Sequence, residues 1–129
     1  RRTGWISGEE MSSALSAADI FLMPSIQESF GLMAVEAMAC GLPVVVFEGS
    51  ALPSIIKAPI GGIAVPAKNS IALADAIKLL LVDQELRINI GKQARELVES
   101  DYSDIQYVKK HIDIYESAIK NFSKKNIKN

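Results

Sequence analysis

ESFGLMAVEAMACGLPVVVF, Glu28 to Phe47, reads as a loop, a helix, a turn and a strand in that order. Gly31 stands where a helix begins, and Gly41 with Pro43 where it must stop. Val44, Val45, Val46 and Phe47 form a short, wholly apolar run of β-branched and aromatic residues. Such a run suits a strand buried on both faces, as in a parallel sheet; a strand with one wet face would alternate.

Between the glycines, Leu32, Met33, Ala34, Val35, Ala37, Met38, Ala39 and Cys40 leave no polar face, and Glu36 is the only charge. A helix of that composition belongs in an interior. A carboxylate within it needs a partner, because an unpaired buried charge is very costly. Glu28 lies just before the helix, in a loop. The first amides of a helix have no internal acceptor and sit at the positive end of its dipole, an arrangement that binds phosphate. Gly31, lacking a Cβ, would let a phosphate approach the backbone. Glu28 and Glu36 would repel phosphate but accept hydrogen bonds from hydroxyls. The stretch therefore calls for a ligand with both phosphate and hydroxyl groups, such as a nucleotide or a sugar nucleotide.

The rest of the chain supplies an α/β frame. A helical composition from Glu9 to Ala18 leads through Asp19 into Ile20-Phe21-Leu22-Met23, an apolar run that reads as a buried strand closed by Pro24. Thr3 to Ser7 reads as a loop leaving the tail of a strand that starts at Arg1. Gly61-Gly62-Ile63-Ala64-Val65-Pro66 reads as a turn and a last short strand. Ser70 is placed to cap a helix from Ile71 to Val82, and Asp83 to Ser100 is helical, with Gly91 a candidate break into two pieces. Ser103 or Asp104 caps a final helix. Its residues Ile105, Val108, Ile112, Tyr115, Ile119 and Phe122 recur every three or four positions, forming a single apolar stripe. Alternating strands and helices with apolar strands give a parallel sheet, and ligands of such sheets sit at the carboxyl ends of strands. Glu28 and Gly31 lie at that edge.

Composition narrows the classes. The chain has 129 residues, 49% of them hydrophobic, and a net charge of −1. That is one globular domain at most, without the basic face of a nucleic-acid binder. The single cysteine, Cys40, excludes an internal disulfide and reads as an inert core thiol. The only histidine, His111, lies beside the apolar stripe and reads as a surface residue, and no set of metal ligands or nucleophilic triad can be assembled around it. No stretch approaches the roughly 18 apolar residues of a membrane span, and no signal peptide opens the chain.

The pattern Glu28-Ser29-Phe30-Gly31-Leu32, Glu36-Ala37-Met38-Ala39 and Gly41-x-Pro43-Val44-Val45 resembles the E-x7-E signature of retaining glycosyltransferases of the GT-B fold, the group 1 type. The likeness extends more weakly from Gly4-Trp5 through Ala18-Asp19-Ile20 and Pro24-Ser25 to Tyr115. It implies a Rossmann-like parallel sheet flanked by helices, the incomplete carboxyl-terminal half of a GT-B fold. Residues 1–129 would form a partial nucleotide-sugar-binding domain, with its final helix at about 104–122. The whole enzyme would transfer a sugar from a nucleoside diphosphate sugar to an acceptor with retention, using no metal or other cofactor. Polysaccharide biosynthesis in the cytoplasm is the setting that the resemblance suggests.

In that resemblance Glu28 is the catalytic residue, its carboxylate contacting donor-sugar hydroxyls near the reacting carbon, and Glu36 binds the two ribose hydroxyls. The backbone of Phe30, Gly31 and Leu32 meets the diphosphate; Ser29 either joins them or caps the helix. Against these stand plainer readings: a surface loop acid for Glu28, and an acid on a narrow exposed strip for Glu36. The family's Gly-Gly-x-Pro-Glu element is here Ser50-Ala51-Leu52-Pro53-Ser54, matching only at Pro53, so an ordinary connection is the alternative there. The family's acceptor domain and its basic Arg and Lys clamp would precede Arg1, and Arg1 and Arg2 do not fit that pair.

Lys124, Lys125 and Lys128 read as a solvated tail, with attraction to acidic lipid at the inner membrane face as the alternative. An open sheet edge and the apolar stripe suggest self-association of the chain by itself. A non-catalytic nucleotide-binding module acting beside a partner, and a GT-B epimerase of sugar nucleotides, are the competing functions; the acid pair favours the transferase over the epimerase.

Overall fold

The apolar run at 44–47 is the central strand of a three-stranded parallel sheet. In the computed structural model, which describes residues 3–126, β1 (Phe21–Met23), β2 (Val44–Phe47) and β3 (Gly62–Val65) lie side by side in chain order. Val44 stands opposite Phe21 on one side and Gly62 on the other, which fixes the register of both pairs. Every residue of β2 is buried. Its side chains alternate between two cores, as the pleat requires. Val44 and Val46 join Ala34, Ala37, Met38, Leu52, Ile56, Ala94 and Leu97 on one face; Val45 and Phe47 join Val65, Ala76, Leu80 and Ile90 on the other.

Helices cover both faces. After α1 (Gly8–Ser16) and β1, α2 (Leu32–Ala39) packs on the first core and leads to β2. The short α3 (Leu52–Ile55) links β2 to β3. Then come α4 (Ser70–Val82), α5 (Gln84–Asp101) and α6 (Asp104–Asn126). α5 spans both cores, giving Ala94 and Leu97 to the first and Ile90 to the second.

Thr3 to Ser7 is irregular, as its loop reading expects, while the strand tail expected at Arg1 and Arg2 lies outside the described residues. Several sequence expectations are corrected. α1 stops at Ser16, short of Ala18. β1 is not buried on both faces: it borders the sheet, and Leu22 is exposed. The cap of α4 is Asn69, whose Oδ1 accepts from the Ala72 amide at 3.0 Å, rather than Ser70, which lies one residue inside. Asp83 caps α5 through Leu86 at 2.9 Å. α5 runs unbroken through Gly91, which lies against Gly41 at the end of α2 instead of marking a break.

α2 is buried along one side only, at Ala34, Val35, Ala37 and Met38, where it packs between the sheet and α5; Leu32 and Ala39 are exposed. Cys40 is half-buried just past the helix, packed against the first core. α6 continues beyond residue 122 to Asn126, so part of the expected tail is helical; Lys128 lies outside the described residues.

Candidate functional site

Gly31 sets the start of α2. It takes φ 77° and ψ 56°, the left-handed conformation, and no side chain caps the helix. Its carbonyl accepts the amides of Ala34 at 2.8 Å and Val35 at 3.3 Å, so the helical ladder starts at that residue. The amides at the front of the helix have no acceptor within it. Ser29 is not the cap that one reading of the sequence allowed: its backbone amide instead donates to Glu28 Oε1 at 3.0 Å. A Cβ on Gly31 would lie 2.3 Å from Leu52 Cδ2, so the missing side chain makes room for α3. The absent side chain thus serves the packing of α2 against α3.

Glu28 is half-buried at the carboxyl side of β1. One carboxylate oxygen, Oε1, takes the amides of Ser29 at 3.0 Å and, more loosely, Phe30 at 3.4 Å. The Glu28 carbonyl accepts the Ala51 amide at 3.1 Å, tying the loop after β1 to the loop after β2. Between those loops lies an open cleft of about 600 Å³, lined by Ile26, Gln27, Glu28 and Ser29 on one side and Gly49, Ser50 and Ala51 on the other. Ser50 Oγ accepts the Leu52 amide at 3.3 Å, so the stretch from Ser50 to Ser54 folds back as a turn into α3. The structure thus brings Glu28, Ser29, Phe30, Gly31 and Leu32 together at one end of the sheet, with the cleft beside them.

Glu36 stands apart from this cluster. It is half-buried, more than one turn into α2, and its carboxylate takes no hydrogen bond or ion pair among the described residues. His111 is half-buried on α6, its Nδ1 2.9 Å from the Tyr107 carbonyl and its ring 4.1 Å from the Tyr107 ring. Among the described residues no three His, Cys, Asp or Glu side chains gather where they could hold a metal ion.

Sequence reading missed the contacts behind the cleft. Tyr102, in the corner between α5 and α6, sets its ring 6.0 Å from Phe30, nearly perpendicular at 79°. Its hydroxyl donates to the Ile55 carbonyl at 3.0 Å. Burial raises its pKa above the ordinary tyrosine value. Beside it Lys57 and Asp101 form an ion pair. Their mutual hydrogen bond, ahead of the other influences, holds the Lys57 pKa above and the Asp101 pKa below the ordinary values. An aromatic residue at the break between two helices was the only signal in the sequence, and nothing local tied it to Phe30.

The profile of the family described as "Glycosyl transferases group 1" matches residues 1–97. The chain is 34% identical over 116 residues to an uncharacterized glycosyltransferase of Methanocaldococcus jannaschii, covering 90% of this chain and 30% of that one. It is 39% identical over 112 residues to a D-inositol 3-phosphate glycosyltransferase of Corynebacterium kroppenstedtii, covering 87% and 25%. Among solved structures, sucrose-phosphate synthase from Thermosynechococcus elongatus superposes with a TM-score of 0.83 at 32% identity, over 92% of this chain and 30% of that one. The carboxyl-terminal domain of a group 1 glycosyl transferase from Francisella tularensis gives 0.70 at 35% identity, over 78% and 52%. The chain therefore spans under a third of the two curated relatives, and its sheet and helices match the carboxyl-terminal half of the GT-B fold as a partial domain.

Proposed function

The chain belongs to the glycosyl transferases group 1 family, and from that premise we propose that it is the donor-binding part of an enzyme that moves a sugar from a nucleoside diphosphate sugar to an acceptor with retention. The observation that carries this reading is the uncapped front of α2 beside the Glu28 carboxylate. A diphosphate at that helix end would meet the amides of Gly31 and Leu32. The Phe30 amide, held by Glu28 only at 3.4 Å, is loosely enough bound to turn to a phosphate oxygen.

The chemistry asked of these groups is electrostatic. As the bond to the leaving diphosphate breaks, negative charge grows on its oxygens, and fixed amides aimed at them stabilise it. Glu28, with Oε1 already held by Ser29, would use its other oxygen to orient donor-sugar hydroxyls. Ser29 lines that side of the cleft. Glu36, further along α2, would take the two ribose hydroxyls. The reading needs no metal and no cofactor; the sugar nucleotide is the substrate. Acceptor binding and the basic clamp on the diphosphate would come from an amino-terminal domain outside these residues. The proposed setting is polysaccharide synthesis in the cytoplasm, with peripheral contact at the membrane through the lysines near the carboxyl end. Among the described residues no helix is long and apolar enough to cross a membrane.

The test uses the enzyme that carries this chain, with uridine and guanosine diphosphate sugars as donors. Transfer with retained anomeric configuration, lost in Glu28→Gln, is the expected result. Donors that turn into their epimers would favour the epimerase; nucleotide binding without any turnover would favour the non-catalytic module. The 129 residues alone should give no transfer, and turnover by the purified chain would overturn the assignment of acceptor binding to another domain.

A further inference from the structure

We propose that Tyr102 is a positioning residue for the Glu28 cleft, because this one side chain touches the continuation of both cleft walls. The first wall, Ile26 to Ser29, runs on into Phe30; the second, Gly49 to Ala51, runs on into α3 and ends at Ile55. The Tyr102 ring meets Phe30 edge-on at 6.0 Å, and its hydroxyl donates to the Ile55 carbonyl at 3.0 Å. This inference rests on the donor-binding reading for its consequence, though not for its geometry.

The contacts form a closed brace. The last carbonyls of a helix lack internal donors, and in a helix of four residues the Ile55 carbonyl is one of them. The Tyr102 hydroxyl fills that need and fixes where α3 ends. At its other end α3 is held against the front of α2, where Leu52 occupies the space that a Gly31 side chain would take. Ala51, just ahead of α3, bonds to the Glu28 carbonyl at 3.1 Å. A shift of α3 is therefore passed to the backbone of Glu28, and a shift of Phe30 to the first amides of α2. The Lys57–Asp101 pair fastens the same corner, but it is exposed and screened by water and salt, so it is the weaker tie. The site's two walls are thereby joined to the α5–α6 corner, a region that contributes nothing else to the cleft.

The two contacts can be separated. Tyr102→Phe keeps the ring against Phe30 and removes the bond to Ile55; Tyr102→Leu removes both. The measurements are hydrogen exchange of peptides spanning residues 49–56 and 28–33 in the enzyme that carries this chain, and titration with uridine or guanosine diphosphate and their glucose and mannose esters. In Tyr102→Phe, exchange should quicken most at 49–56 and less at 28–33. The sugar nucleotide should bind roughly two- to tenfold more weakly, the worth of one hydrogen bond, with affinity for the bare diphosphate unchanged. Tyr102→Leu should quicken both segments and weaken both ligands.

A lowered melting temperature with both affinities intact would mean a merely structural tyrosine and overturn the proposal. Unchanged exchange at 49–56 in Tyr102→Phe would overturn it whatever the ligands do. If the parent binds none of the nucleotides while exchange responds as stated, the donor reading falls and the coupling of Tyr102 to the cleft walls stands.

Discussion

A Cβ placed on Gly91 would stand 2.2 Å from the carbonyl oxygen of Gly41, so α5 touches the end of α2 backbone to backbone. This seam fixes α2, and with it the helix end at Gly31. Gly91→Ala should therefore destabilise the protein. Forcing a methyl into a close-packed contact costs about 1–3 kcal/mol. The better helix propensity of alanine returns at most about 1 kcal/mol. A lower urea midpoint with an unchanged slope is the expected result; a midpoint equal to the parent's or above it would refute the contact.

The stripe along α6 should make the isolated chain associate. Ile105 is 79% exposed and Phe122 68%, and Ile112, Tyr115 and Ile119 between them are exposed as well. Apolar surface of that extent on one face of a helix is unfavourable in water. Sedimentation of the 129 residues should show concentration-dependent association, reduced by the double change Ile112→Lys, Ile119→Lys. A monomer at high concentration contradicts this.

The Lys57–Asp101 pair predicts the pH range over which the α3–α5 corner is fastened. Asp101 has its pKa lowered, first by the hydrogen bond from Lys57. Its contribution is present above the unfolded carboxylate pKa and is lost as pH falls through the lower folded value. Lys57 has its pKa raised, first by the hydrogen bond to Asp101. Its contribution is full below the unfolded lysine pKa and disappears as pH rises through the higher folded value. The pair thus holds across the neutral range and fails at both extremes. In Lys57→Met the stability difference from the parent should be flat between those limits, small, and diminished by salt. A difference that changes sharply around pH 7 would show that another group is responsible.

The sequence makes some of this architecture legible and hides the rest, for physical reasons. The strand at Val44–Phe47 can be read because burial on both faces removes every polar residue from it. The limits of α2 can be read because Gly31 and Gly41 have local backbone consequences. The edge position of β1 cannot: Phe21, Leu22 and Met23 are apolar whether or not a neighbour covers them. The cap of α4 slipped by one residue because Asn69 and Ser70 are both good caps and only geometry chooses. The role of Gly91 depends on Gly41, and that of Tyr102 on Phe30 and Ile55, all distant in sequence. The wall formed by Gly49, Ser50 and Ala51 is legible too, because a parallel sheet puts the loop after β2 at the same edge as the loop after β1 that carries Glu28.

Glu36 gives the most direct test of the proposed ligand. It is the only charge in α2, half-buried, and its carboxylate is unpaired among the described residues, so it is free to accept hydrogen bonds from a ligand. It lies more than one turn beyond the phosphate-facing end, a position suited to the ribose. Hydrogen bonds to a charged group are worth about 1.5–3 kcal/mol each. At about 1.4 kcal/mol per factor of ten, losing one should weaken nucleotide binding roughly ten- to hundredfold. In the enzyme that carries this chain, Glu36→Gln should raise the dissociation constant of the nucleoside diphosphate by that order. A nucleotide lacking both ribose hydroxyls should bind mutant and parent equally. The fold should survive, since glutamine keeps the shape and no partner among the described residues is lost. If Glu36 is only a solvated acid, the substitution should be nearly neutral for both nucleotides. Calorimetric titration of the two proteins with the two nucleotides separates the accounts, and equal affinity of mutant and parent for the ordinary nucleotide removes Glu36 from the ribose.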